Sequence, residues 1–188
     1  MSRTWFLRII DRREKELFEN GFRSIKEMED HGENIYSSLL YLSLEAMGIR
    51  NVEADHIASH IGKATTISIR LRAIPFHASK SLCFLPRDLM SKHNLSEEDV
   101  FRNQNEKGLE EVVYEVASHA YLHLKHAREL HNKVDKETRI AFLNATVLSD
   151  YLDALQRVNF NVYHPSLNQR KGISLPIKLF WNKYKGRY

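Results

Sequence analysis

The chain has 188 residues, of which 43% are hydrophobic and 28% are charged, with only 7 Gly and 4 Pro. This length and composition predict one globular domain, and they exclude collagen-like, low-complexity and largely disordered chains. The formal charge of +4 is too small by itself to indicate a nucleic-acid-binding protein. Cys83 is the single cysteine, which excludes an internal disulfide and a multi-cysteine zinc site. No apolar run approaches the roughly 18 residues of a membrane span, so no transmembrane segment is predicted.

Hydrophobic residues recur at helical spacing along almost the whole chain, so the predicted fold class is all-α. Trp5, Ile9 and Ile10 lie on one face of a first predicted helix, and Gly21 is its predicted C-terminal cap. Four longer helices are predicted over residues 25–47, 52–73, 109–130 and 138–157. In the first of these four, the predicted core face consists of Ile35, Leu39, Leu42 and Ala46.

The helix predicted over residues 52–73 contains small residues that allow another helix to approach it closely. These residues are Ala54, Ala58, Ser59, Gly62 and Ala64. Pro75 ends this helix, because proline lacks the amide hydrogen that a helix interior needs. Pro86 begins a short helix, and Ser96 followed by Asp99 three residues later predicts another helix start.

Ten histidines are the most obvious candidate metal ligands. His119, His123 and His126 share one face of a predicted helix, where two of them could bind one ion. Lys125 and Arg128 lie in the same stretch, and their positive charge opposes a bound cation. We therefore favour hydrogen-bonded histidines at the surface over a metal site.

The other reactive side chains fit ordinary structural roles. Cys83 lies between two hydrophobic residues and is predicted to be a small core residue. Glu111 with Glu115, and Asp150 with Asp153, can share helix faces, and we interpret both pairs as solvated charges. No glycine-rich mononucleotide or dinucleotide motif is present.

The last 21 residues, 168–188, carry six basic residues and no acid. Their charge of +6 leaves the other 167 residues at −2, because the whole chain has a charge of +4. A helix beginning near Pro176 presents apolar and basic side chains that could contact a membrane or a partner: Ile177, Lys178, Phe180, Trp181, Lys183 and Tyr184. The alternative is that the apolar side chains of this set dock on the helical body. We favour docking, since Leu175 and Leu179 widen the apolar face.

The stretch from Gly62 to Pro86 resembles the second signature of the squalene and phytoene synthase family, all-α enzymes that condense prenyl diphosphates. The matching positions are Gly62, Ala64, Leu71, Arg72, Ala78, Leu85 and Pro86. The resemblance implies an isoprenoid-synthase-like helical bundle that lacks its N-terminal helices. It implies one partial domain over residues 1–188, with a basic amphipathic C-terminal tail over residues 168–188.

The enzymes of this family hold the diphosphate through Mg²⁺, which requires oxygen ligands such as carboxylates on one helix face. The positions that match their Asp, Glu and Asp are Ala73, Phe76 and His77. A methyl group and a phenyl ring cannot bind Mg²⁺, and a neutral imidazole is a poor ligand for it. The resemblance therefore implies a pseudoenzyme with no catalytic residue, no metal and no cofactor. Arg72 completes this degenerate family pocket, either as a cation for a phosphate or carboxylate or as part of an ion pair.

The run Ile74-Pro75-Phe76-His77 also resembles a non-catalytic branch of the family, the mitochondrial complex I assembly factor 6 type. This resemblance implies an assembly factor in early biogenesis of the respiratory NADH dehydrogenase, on the matrix face of the mitochondrial inner membrane. It implies complex I subunits or assembly intermediates as partners, with peripheral membrane contact and no nucleic acid. The alternatives are a prenyl-diphosphate transferase and a prenyl-lipid-binding protein.

Overall fold

The computed structural model describes residues 2–19, 21–168 and 173–188. These residues form eleven α-helices and no strand, which confirms the all-α prediction. The helices are α1 Arg3–Glu16, α2 Ile25–Gly32, α3 Ser38–Ala46, α4 Val52–Arg72, α5 Ile74–Ala78, α6 Arg87–Lys92, α7 Glu97–Arg102, α8 Glu106–Glu129, α9 Lys136–Ile140, α10 Asn144–Arg157 and α11 Ser174–Lys185. A π-helical turn, Glu33–Ser37, joins α2 to α3, and 3₁₀ turns occupy His131–Lys133 and Pro165–Asn168.

The core is centred on α4 and α8, which have 21 and 24 residues and pack against each other. Both helices bury a face of apolar side chains, so they exclude water from the space between them. These side chains include Ile57, Ile61, Ile67 and Leu71 of α4 and Val112, Val113, Val116 and Leu124 of α8. α2 and the π-helical turn pack on α4, and α10 packs against both central helices.

Small residues bring the backbone of α4 against α2 and the π-helical turn. A side chain at Gly62 would place its Cβ 2.7 Å from the Cα of Ser37, closer than Cβ atoms approach in folded proteins. Gly32 meets α4 in the same way, since its Cβ would lie 2.8 Å from the Cα of Lys63. Ser37 Oγ also donates a hydrogen bond to the carbonyl oxygen of Ser59 at 3.2 Å. The close approach predicted for this helix is confirmed.

The π-helical turn changes which residues of α3 face the core. Of the predicted core face, Ile35 and Leu42 are buried, whereas Leu39 is 47% exposed and Ala46 is also exposed. A π turn inserts one extra residue into the helix, so the following turns are rotated about the helix axis. The side chains that reach the core after this turn are Tyr41, Leu42 and Leu44. The prediction was wrong for Leu39 and Ala46 because it assumed a regular helical period.

The helix predicted over residues 138–157 is divided into α9 and α10. The amides of Ala141 and Phe142 donate to carbonyl oxygens three residues earlier, so the chain winds more tightly between the two helices. This turn carries the Phe142 side chain, which is fully buried in the core. The prediction of one continuous helix was therefore wrong.

The helix starts predicted at Pro86 and Ser96 are confirmed, and Ser96 forms a complete capping box with Asp99. The predicted end of the first helix is wrong, because α1 ends at Glu16. Gly21 has a φ of +95°, and a Cβ there would lie 2.6 Å from the carbonyl oxygen of Cys83. Glycine at this position permits a close crossing of two chain segments instead of capping a helix.

We expect Gly62→Ala to lower the free energy of unfolding by about 1–3 kcal/mol, because the new methyl group meets the Ser37 backbone. Chemical denaturation followed by circular dichroism measures the change. The matched control is His56→Ala on the exposed side of α4, which should change the free energy of unfolding by less than about 0.5 kcal/mol. Equal effects of the two variants would contradict the close approach.

Candidate functional site

The four residues of the degenerate family pocket lie where α4 passes into α5. Arg72 ends α4, and Ala73 joins it to α5. Pro75 stands in the first turn of α5, so the two helices do not form one continuous face. Arg72 and Phe76 are exposed, with Phe76 at 63%, whereas Ala73 and His77 are half-buried. The rings of Phe76 and His77 contact each other, with centroids 5.5 Å apart.

His77 is an uncharged imidazole packed against aromatic rings. Its ring meets Phe84 edge-on, with centroids 4.6 Å apart. Burial lowers the pKa of His77, and the positive charge of Arg70 lowers it further. The buried Nδ1 atom has no hydrogen-bond partner among the residues that the structure describes. His77 lines, together with Arg70 and Cys83, a cavity of about 10 Å³, which is the size of one water molecule.

Arg72 is a cation at the rim of this junction. Its exposed side chain makes no ion pair within residues 2–19, 21–168 and 173–188. The hydroxyl group of Tyr151 is buried, and this burial raises the pKa of Tyr151. The positive charge of Arg72 opposes that rise in pKa. Both predicted roles of Arg72, anion binding and an ion pair, stay predictions.

Glu16, His31, Thr66 and Arg70 form a buried polar cluster that the sequence pattern did not indicate. The Arg70 guanidinium forms an ion pair with Glu16, and its Cζ lies 4.4 Å from the ring centroid of Phe84. His31 is 1% exposed, with Nε2 lying 3.5 Å from Glu16 and Nδ1 lying 3.3 Å from the Thr66 hydroxyl. Nε2 of His31 also lies 3.4 Å from Nη2 of Arg70. The cluster joins α2 and α4 to the C-terminal end of α1.

The charged groups of this cluster pair with one another. Burial lowers the pKa of His31, although the hydrogen bond to Glu16 opposes this shift. The hydrogen bond from His31 and the positive charge of Arg70 hold the pKa of Glu16 far below its usual value. The sequence does contain a pattern that places Arg70 on the same face of α4 as the small residues. Ala58, Gly62, Thr66 and Arg70 follow each other at four-residue intervals. No local signal existed for its distant partner Glu16.

The histidines of α8 contact α2 and α4 instead of converging on one point. His119 Nδ1 and His123 Nε2 lie 3.1 and 3.2 Å from the same oxygen of Glu29. Nδ1 of His60 lies 3.0 Å from Nδ1 of His123, and the ring of His126 packs against His60. The hydrogen bond from His123 lowers the pKa of Glu29, and burial lowers the pKa of His60 to about 4. No three histidine, cysteine or acidic side chains of the described residues are placed to hold one metal ion.

Two other sequence candidates have partners in the core or on its surface. Burial raises the pKa of Cys83 to about 11, and its Sγ lies 3.7 Å from Met90 Sδ, which confirms a core role. Glu111 and Glu115 are not simply solvated, because His93 bridges them at 3.0 and 2.9 Å. These groups link the end of α6 to α8.

α11 docks on the helical body through a different side from the one predicted. Asn182 Nδ2 donates a hydrogen bond to Thr146 Oγ1 at 2.9 Å, and Lys178 pairs with Asp150 at 2.9 Å. Asp150 is therefore not a solvated charge. The side chains predicted to dock are exposed at 62%, 71% and 52%, in the order Ile177, Phe180 and Trp181. The docking prediction was wrong because the polar side chain of Asn182 makes the contact.

The rest of the predicted contact set also faces outward. Lys183 and Tyr184 are exposed, and the tail residues Arg170 and Lys171 lie outside the described residues. None of the described helices combines the length and the apolar character needed to cross a membrane.

A surface groove of about 380 Å³ lies between α8 and α10. Its walls are mainly aromatic and aliphatic, and they include Tyr114, Tyr121, Leu122, Leu152 and Phe160. Such a surface can accept an apolar chain of a ligand.

We expect Arg70→Ala to lower the free energy of unfolding by about 3 kcal/mol, because it leaves the Glu16 carboxylate without its cation in a largely buried position. Arg13→Ala is the matched control, since Arg13 also pairs with Glu16, at 2.8 Å, but is mostly exposed. This control should cost less than about 1 kcal/mol. Urea denaturation of both variants gives the two values, and similar values would contradict the structural role of the Arg70 cluster.

Comparison with known proteins agrees with this fold. The squalene/phytoene synthase family model matches residues 1–176. The structure of a dehydrosqualene synthase in complex with a ligand aligns with a TM-score of 0.82 and 14% identity, over 98% of this chain and 65% of that chain. Squalene synthase HpnC from Alicyclobacillus acidocaldarius aligns with a TM-score of 0.74 and 14% identity, over 86% and 62% of the two chains. The fold is the isoprenoid-synthase-like helical bundle.

Several relatives match the chain over its whole length. Those from Rattus norvegicus and Homo sapiens are 49% and 45% identical over 188 residues, and both are named NADH dehydrogenase (ubiquinone) complex I, assembly factor 6. The Drosophila melanogaster protein, named as a homolog of that factor, is 38% identical over 189 residues. The matches cover 100% of this chain but 56% of each relative, so the chain spans about half their length. Because the family model matches all but the last residues of this chain, the chain belongs to the squalene/phytoene synthase family.

Proposed function

We propose that this protein is a non-enzymatic factor in the early assembly of mitochondrial respiratory complex I. The relatives that support this proposal carry complex I assembly factor names and are 38–49% identical over the chain. Its non-enzymatic part is supported by the α4–α5 junction, where the resemblance to the family places Ala73, Phe76 and His77 at the positions of the enzymes' carboxylates. Complex I subunits or assembly intermediates are its inferred partners, and the matrix face of the inner membrane is its inferred location.

The chemistry of the junction supports this proposal. Mg²⁺ requires oxygen ligands in a near-octahedral arrangement, and the side chains of Ala73 and Phe76 contain no oxygen or nitrogen atom. His77 offers only a neutral imidazole, which is a poor ligand for a hard cation. These three side chains therefore cannot bind Mg²⁺ as the carboxylates of the family's enzymes do.

A nearby carboxylate does not replace the missing ones. Glu16 is close enough to act on the pKa of His77. Its oxygens are engaged by Arg70 and His31, and the low pKa of Glu16 reflects these two contacts. Releasing Glu16 to a metal ion would leave the Arg70 charge unpaired in a largely buried site, which is unfavourable.

A prenyl-lipid-binding protein is the second candidate function. The groove between α8 and α10 favours it, because Tyr114, Tyr121 and Leu122 present an apolar surface there. This role needs no metal ion, so the residues at the α4–α5 junction do not oppose it.

We expect the wild-type protein and His77→Ala to restore equal amounts of complex I in cells that lack their own copy of the protein, because His77 performs no chemistry. Native gels that separate assembled complex I measure the amounts, and immunoblots confirm equal protein levels. His131→Ala is the matched control, since His131 is another half-buried imidazole with a pKa lowered by burial. Loss of complex I with His77→Ala alone, at equal protein level, would contradict the non-enzymatic assignment.

A further inference from the structure

The outward side of α11 is a continuous apolar surface. Its residues follow each other at helical intervals of four, three, one and three: Ile173, Ile177, Phe180, Trp181 and Tyr184. Each of these side chains is more than half exposed. They form a row about 16 Å long, at 1.5 Å per residue. Single exposed apolar residues are ordinary, but a row of five on one helix indicates an interaction surface.

Polar contacts hold α11 on the body, so this surface has a defined orientation. The side chain of Asn182 bonds to Thr146 of α10, and Lys178 pairs with Asp150 of the same helix. Beyond α11, Tyr188 is buried, and its hydroxyl donates to the carbonyl oxygen of Ala127 at 2.9 Å. These contacts fix the chain before and after Trp181, and the apolar row faces away from the bundle.

The charged side chains within residues 173–188 are all positive. Residues 173–188 contain four basic residues and no acid. Lys178 forms an ion pair with Asp150, whereas Lys183, Lys185 and Arg187 are exposed at the end of the helix. Lys185 Nζ lies 4.6 Å from the ring centroid of Trp181, so a cation borders the apolar surface directly.

We propose that α11 lies flat on an anionic lipid bilayer, with its apolar row at the level of the acyl chains and its exposed cations at the headgroups. Tryptophan and tyrosine favour the boundary between water and hydrocarbon, and Trp181 and Tyr184 stack on each other within the row. Basic residues beside an apolar helix face add attraction to anionic headgroups. This arrangement directs the α10–α11 side of the bundle toward the lipid.

The proposal does not depend on the proposed function, because lipid binding by α11 requires no complex I subunit. Its test can therefore fail without affecting the assembly role, and the reverse also holds. A second copy of this chain is the competing occupant of the same surface, and sedimentation distinguishes it from lipid.

Flotation with lipid vesicles tests the proposal. We expect the full chain to float with vesicles of phosphatidylcholine and phosphatidylglycerol, and less with phosphatidylcholine alone. Phe180→Ser combined with Trp181→Ser should weaken binding at least about tenfold, because two large apolar side chains no longer enter the lipid. Phe6→Ser combined with Ile10→Ser is the matched control on α1, where both side chains are also exposed, and it should bind like the wild type.

Tryptophan fluorescence gives a second readout that needs no change in the apolar row. The chain has two tryptophans, so Trp5→Phe leaves Trp181 as the single emitter. Anionic vesicles should then shift the emission to shorter wavelength, and high salt should reverse the shift. Equal flotation of the Phe180/Trp181 variant, or binding without preference for anionic lipid, would overturn the proposal. Self-association in sedimentation that this variant abolishes would also overturn it, since the surface would then bind a second copy.

Discussion

The close contact of α4 with α2 and the π-helical turn supports the rest of the structure. Gly62 and Gly32 let two backbones meet at distances that no other residue allows. The same α4 packs with its other faces on α8 and α10, so a displacement at Gly62 would be transmitted to the whole core. The Arg70 cluster lies two turns further along the same row of α4 and depends on the same spacing. Its buried charges remain paired only while α1 and α2 keep this position.

Short-range patterns in the sequence predicted the features that depend on neighbouring residues. The small-residue face of α4, the capping box at Ser96 and the break at Pro75 are examples, because each is caused by atoms within one or two helical turns. The π-helical turn and the pairing of Glu16 with Arg70 were not predictable in this way. The first shifts the helical period without a distinct residue pattern, and the second joins residues 54 positions apart. The pattern of α11 identified an amphipathic helix, but the side that docks depends on Thr146, which lies far away in sequence.

The chain keeps the backbone fold of its family. Its backbone follows that of a squalene synthase and a dehydrosqualene synthase, with TM-scores of 0.74 and 0.82. At the α4–α5 junction, the exposed ring of Phe76 contacts the half-buried imidazole of His77, and Glu16 is bound by Arg70. We propose that the exposed surfaces of the bundle carry its interactions.

We infer that this helical bundle does not cleave prenyl diphosphates, and diphosphate release from farnesyl diphosphate in the presence of Mg²⁺ tests this inference. Metal-assisted departure of the diphosphate needs a bound cation to stabilise the leaving oxygens. We expect release with the full-chain protein to equal release in buffer with Mg²⁺ alone. Release above that level that requires Mg²⁺ and stops when the metal is chelated would overturn this inference.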